Sequence, residues 1–153
     1  LPLKSQQRYS GSYSSKSNDS TRNYLYINSE NLEQNWLLDH NNHLIFDTDF
    51  LTKTKDKKSE TLAILYQIIK SDTDKDNRLD RDDLKTLALS YADGKNFTEI
   101  ISNADELLGH TITENNLLVV IFNKNEKSHL MTINLSSFNI VNQKELSFST
   151  SKN

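Results

Sequence analysis

The sequence predicts an α+β fold, an antiparallel β-meander into which one helix and an acidic loop are inserted. Three observations predict it. Apolar residues recur at helical spacing through Leu62, Leu65, Ile68 and Ile69. An acidic stretch follows directly at Asp72. From residue 97 onward, short apolar runs alternate with polar turns at strand-like spacing.

Residues 1–22 are rich in Ser, Asn, Gln and Lys and carry too few apolar side chains to offset the entropy of ordering them. They read as a flexible tail, and residues 23–153 as a single α+β domain. The start at Leu1, with no Met, fits a processed or trimmed chain, and the sequence itself holds no signal peptide.

Tyr24-Leu25-Tyr26-Ile27 is a strand by aromatic and β-branched content. Trp36-Leu37-Leu38 and Leu44-Ile45-Phe46 flank Asp39-His40-Asn41-Asn42-His43, which reads as a hairpin because Asn tolerates left-handed backbone. Lys53 to Lys58 form a solvated basic loop. Ser59 offers an N-cap oxygen, and Leu62 to Ile69, uninterrupted by Gly or Pro, form the expected helix. Leu84 to Tyr91 read as a helical turn giving way to a strand, closed by the hairpin-turn pair Asp93-Gly94. The remaining strands are expected at 97–101, 106–113, 117–122, 129–135 and 138–146, the run Leu117 to Phe122 being central.

Asp72 to Asp83 span twelve residues with carboxylates on alternate positions at the start. Calcium is a hard cation that takes six to eight oxygens, which such a loop supplies from positions 1, 3, 5, 7, 9 and 12. Those positions hold Asp72, Asp74, Asp76, the backbone carbonyl of Arg78, Asp80 and Asp83. Leu79 places an apolar side chain between charged neighbours, as a solvated acidic loop has no need to do.

This stretch, with flanks from Glu60 to Leu89, resembles the single EF-hands of bacterial proteins. The resemblance implies a helix–loop–helix unit, one bound Ca2+, and Mg2+ as a competitor. The chain departs from it at three positions. Asn77 stands where Gly is usual, Asp83 where Glu closes the loop, and Ser71 where an aromatic often precedes it. Residues 86–146, on strand spacing and the Asp93-Gly94 turn, look like one blade of a TolB-type β-propeller.

Other chemistry has little support. With no cysteine there is neither a disulfide framework nor a thiolate metal site. Three glycines, Gly11, Gly94 and Gly109, are too few for phosphate-cradling loops, and no nucleophile elbow is present. A net charge of −3 with mixed signs speaks against a nucleic-acid surface. No apolar run reaches the length of a membrane span. His40 and His43 are expected as turn residues, His110 and His129 as isolated ones, and Trp36, Tyr24, Tyr26 and Phe46 as core. The expected protein is a non-catalytic calcium-binding module, extracytoplasmic (periplasmic, lipid-anchored or secreted), with calcium ordering a surface for a protein partner. A calcium-responsive regulator is the alternative, and a hydrolytic enzyme fragment a distant third.

Overall fold

A computed structural model describes residues 2–4 and 21–147, and among these every regular element is a strand. The strands are β1 (Pro2–Lys4), β2 (Tyr24–Ile27), β3 (Gln34–Trp36), β4 (Leu44–Lys55), β5 (Lys58–Ile69), β6 (Lys85–Ser90), β7 (Thr98–Ala104), β8 (Glu106–Ile112), β9 (Leu117–Lys124), β10 (Lys127–Asn134) and β11 (Ile140–Leu146). They form three sheets, in the orders β1-β2-β3, β4-β5-β6-β7 and β11-β10-β9-β8. The chain divides into two compact units, one reaching Ser102 and the other starting at Asn103. Most of the expected tail, residues 1 and 5–20, lies outside the described residues, whereas Pro2 to Lys4 pair with Tyr24 to Tyr26.

The α+β expectation is therefore corrected to all-β, and the correction falls mainly on Ser59 to Ile69. In place of a helix, this segment is the second arm of a hairpin paired with Leu44 to Lys55 along its whole length. Residues 63–66 are buried without interruption, because β5 is an inner strand whose two faces are both covered. A strand of that kind needs a continuous apolar run, which also satisfies helical spacing by default. Thr61, Ile64, Tyr66, Ile68 and Ile69 are β-branched or aromatic, and cross-strand packing decides the outcome. The tip of the hairpin is Asp56-Lys57, with φ of 52° and 64°, the left-handed pair of a two-residue turn. The expected helical turn at Leu84 is likewise absent, since Lys85 to Ser90 are extended and pair with Ile64 to Ile68.

The segment 37–43 is not a hairpin either. It carries the chain from β3, in one sheet, to β4, in another. Buried Asn23 holds it: its Nδ2 donates to the carbonyls of Leu38 (2.7 Å) and His40 (3.3 Å), while its Oδ1 accepts from the Leu38 amide (2.9 Å).

In the first unit, Tyr24, Tyr26 and Leu37 pack with Ile45, Ile64, Tyr66, Ile68 and Ala88. Hydroxyls within this core form an oriented chain. Ser90 Oγ donates to the Tyr91 carbonyl (2.9 Å), so it accepts from Tyr66 (2.8 Å), which in turn accepts from Tyr26 (2.6 Å). Burial, aided by the neighbouring Tyr66, pushes the Tyr26 hydroxyl far above its ordinary range, and burial pushes Tyr66 up to about 12. Tyr66→Phe strands the Tyr26 hydroxyl and is expected to cost about 2 kcal/mol in urea denaturation. Tyr26→Phe combined with it removes both partners and should cost clearly less than the sum of the single changes. Strict additivity would show that the hydroxyls do not interact.

The second unit is a four-stranded antiparallel meander, as expected for the C-terminal part. Leu118, Val120 and Phe122 of β9 alternate with half-buried neighbours, and Met131 and Ile133 do the same on β10. Asn125-Glu126 make a second two-residue turn, with φ of 52° and 64°. No helix of the described residues is long and apolar enough to cross a membrane.

Candidate metal centre

The acidic loop joins two paired strands. β5 ends at Ile69 and β6 begins at Lys85. The helix–loop–helix frame of an EF-hand is thus absent, and the antiparallel pair β5–β6 holds the ends of the loop in its place.

Within the loop, the backbone turns around its own carboxylates. Asp72 Oδ1 accepts from the Asp76 amide (3.1 Å) and its Oδ2 from the Asn77 amide (2.8 Å). Asp74 Oδ1 accepts from the Asp76 amide (3.2 Å), and Asp76 Oδ1 from the Arg78 amide (2.8 Å). Lys75 and Asn77 take positive φ, 62° and 68°, which bends the chain so that successive carboxylates face one point. Asn bears that conformation better than other side chains, so the missing glycine is tolerated.

Two sets of carboxylate oxygens result, Asp72–Asp74–Asp76 and Asp74–Asp80–Asp82, each with its oxygens within 4.8 Å of one another. Oxygens on opposite sides of one calcium ion stand about 4.8 Å apart, so either set fits such an ion. Partial desolvation raises the Asp74 pKa from its ordinary value; the Asp76 amide opposes this, and the hydrogen bond with Asp72 and the charges of Asp76 and Asp83 add to it. Crowded carboxylates of this kind are relieved by a cation.

Of the expected ligands, Asp72, Asp74 and Asp76 thus come together, while Asp80 meets Asp74 in the second set and is not grouped with Asp72 or Asp76. Arg78 lies in the loop, its side chain lining an open cleft with Arg22, Asp72, Asn77, Leu79 and Asp80. Asp83 has a different place. It is 1% exposed, and both its oxygens are engaged by the protein. Oδ1 accepts from the Thr73 amide (2.6 Å), the Thr73 hydroxyl (3.2 Å) and the Asp74 amide (3.3 Å), and Oδ2 from the Asp80 amide (2.9 Å). Burial alone would raise its pKa, but these donors outweigh burial and lower it. Asp83 ties the beginning of the loop to its end.

Sequence reasoning missed two residues. Asp82, one position earlier, is the exposed carboxylate grouped with Asp74 and Asp80. The adjacent pair Asp82-Asp83 was its only signal, and spacing favoured the second member. Lys85 is buried beneath the loop, donating to the carbonyls of Arg81 (2.7 Å) and Asp83 (3.0 Å), with its ammonium 5.6 Å from the Phe46 ring centroid. It gathers the last carbonyls of the loop and gave no sequence signal beyond its charge.

The histidines set aside remain so. His40 and His43 meet edge to face, with ring centroids 4.4 Å apart, but among the described residues no third ligand joins them. Burial, then the charges of His40 and Lys70, lowers the His43 pKa, with Glu99 opposing. His129 stacks on Phe122 at 5.2 Å.

Comparisons with protein-family models, with curated proteins and with solved structures gave no match to this chain.

Proposed function

We propose that residues 72–83 bind one calcium ion, and that the ion orders the link between β5 and β6 as part of a non-catalytic binding module. The observation that carries this reading is the convergence of carboxylates on Asp74, in two sets whose oxygens lie within 4.8 Å. Asp74 is the proposed ligand common to both sets, with Asp72 and Asp76 on one side and Asp80 and Asp82 drawn in on the other as the ion binds, and the Arg78 carbonyl adds a further oxygen. Asp83 and Lys85 brace the loop. All-oxygen, carboxylate-rich coordination suits calcium, with magnesium as the competitor.

A regulatory switch would need a pair of elements able to open against each other. β5 and β6 are hydrogen-bonded from Ile64 to Ile68, which favours a stabilising role. An extracytoplasmic setting belongs to the same proposal, because calcium near 1 mM there fills even a weak site. The likeness to a propeller blade, read over residues 86–146, is proposed only for the four strands β8 to β11, since β6 and β7 belong to another sheet.

Calcium titration by isothermal calorimetry on metal-free protein, with magnesium as competitor, tests the reading. One site is expected, with a Kd of about 10⁻⁴ M and stabilisation of about 1.4 kcal/mol at millimolar calcium. Asp72→Ala should remove the heat. Asp82→Ala should weaken binding while leaving the metal-free protein as stable as before. Absence of both heat and thermal stabilisation would overturn the assignment.

A further inference from the structure

A second surface, built from residues outside the acidic loop, carries its own chemistry. Trp36 is the only tryptophan of the chain. Its neighbour Leu37 turns into the core, and Trp36 faces outward on the edge strand β3, 51% exposed. With Asn23, Leu38, Asp39, His40 and Asn41 it lines a cleft of ≈ 440 Å³. An exposed indole of this size is unfavourable in water unless something covers it.

The groups around the indole are polar and planar. Asn23 spends its amide inward on Leu38 and His40, which holds the backbone of the cleft wall in one conformation. His40 Nδ1 accepts from the Asn42 amide (3.2 Å), so the neutral ring carries its proton on Nε2 and presents a donor, 3.8 Å from Asp39. The Asp39 side chain is 97% exposed and offers acceptors. Exposed Asn41 offers both a donor and an acceptor. Among the described residues, no lysine or arginine lines the cleft.

We propose that this cleft binds a neutral hexose oligomer, one sugar ring stacking its C–H face on Trp36 while its hydroxyls pair with Asp39, His40 and Asn41. A pyranose has an apolar face and a rim of groups that both donate and accept, which matches an aromatic platform edged by a carboxylate, an amide and an imidazole N–H. An apolar peptide anchor would cover the indole but make no use of the donors and acceptors beside it. An acidic sugar would meet that carboxylate with no cation to receive its own charge. The site does not require calcium.

Trp36 is its own reporter. Its emission should shift saturably on titration with cellohexaose, maltohexaose or chitohexaose, in chelator as well as in calcium, with a Kd of about 1 mM or tighter. Oligogalacturonate should give no shift. Asp39→Ala with Asn41→Ala should weaken binding about tenfold. Trp36→Ala, followed by calorimetry, should abolish it at unchanged melting temperature. The proposal fails if none of the three neutral oligomers produces a saturable shift at about 10 mM. It fails equally if the charged oligomer binds as well, if the double variant binds undiminished, or if only an apolar peptide alters the emission.

Discussion

Gly94→Ala should lower the stability of the first unit by about 3 kcal/mol, enough to drop its melting temperature by about 15 °C. Two penalties combine at this position. Gly94 has a φ of 81°, and its amide closes a turn on the Tyr91 carbonyl at 2.9 Å. A side chain there is strained by about 1 kcal/mol or more. The added methyl would also lie 2.3 Å from Cδ2 of Tyr26 and 2.8 Å from Cε2 and Cγ. Tyr26 has little freedom to retreat, because it is 4% exposed and its hydroxyl is bonded to Tyr66. Combining Gly94→Ala with Tyr26→Ala opens room for the methyl, so the pair should cost less than the sum of the two single changes. A melting temperature for Gly94→Ala within about 2 °C of the parent protein would show that the turn does not rest on the ring.

Asp83→Ala carries the second large effect, expected at about 3 kcal/mol in the metal-free protein. It removes the acceptor for the amides of Thr73, Asp74 and Asp80 together with the Thr73 hydroxyl, and leaves these groups at the buried end of the loop. The pH dependence has a definite sign. The folded-state pKa of Asp83 is lowered, so its contribution is fully present above the ordinary carboxylate value of about 4 and is lost as pH falls through the folded value. Acid unfolding of the parent protein should therefore steepen below about pH 4, and Asp83→Ala should lack that part of the slope. Parallel acid profiles for the two proteins would remove Asp83 from its role as brace. Calcium separates this role from that of a ligand: the loss in Asp83→Ala appears in chelator, whereas the loss in Asp82→Ala appears only in affinity.

These two positions also show what the sequence made legible. Asp93-Gly94 was readable as a turn because only a few residue types accept positive φ, but nothing in the chain announced that the turn would lie on Tyr26, some seventy residues earlier. The alternate aspartates from Asp72 were readable because a hard cation imposes their spacing. The choice between Asp82 and Asp83 was not, because it depends on which of the two is drawn inward by amides of Thr73, Asp74 and Asp80. Residues 59–69 misled for a related reason. An apolar stretch that will be covered on both sides has no polar stripe, and without one its period cannot distinguish a helix from a strand. In the C-terminal part, polar turns separated short runs and residues 129–135 alternated, so it was read as a meander, although the continuous run Leu117 to Phe122 gave no sign that it would bury mainly one face. Trp36 was expected in the core with Tyr24 and Tyr26, yet its place on an edge strand leaves it outside.

The β4–β5 hairpin has a consequence for how copies of this chain meet in solution. β6 pairs with β5 only over Ile64 to Ile68, so the outer part of the β4–β5 hairpin extends past that pairing, and β4 stands last in the order of its sheet. Borders of this length recruit other strands unless something discourages them. Here the arm carries Lys53, Lys55, Lys57 and Lys58 against only Asp56 and Glu60. Two molecules approaching with their β4 strands parallel would bring these ammonium groups against their counterparts, a repulsion that grows as salt is diluted. The lysines at the tip thus disfavour such an approach of two β4 strands.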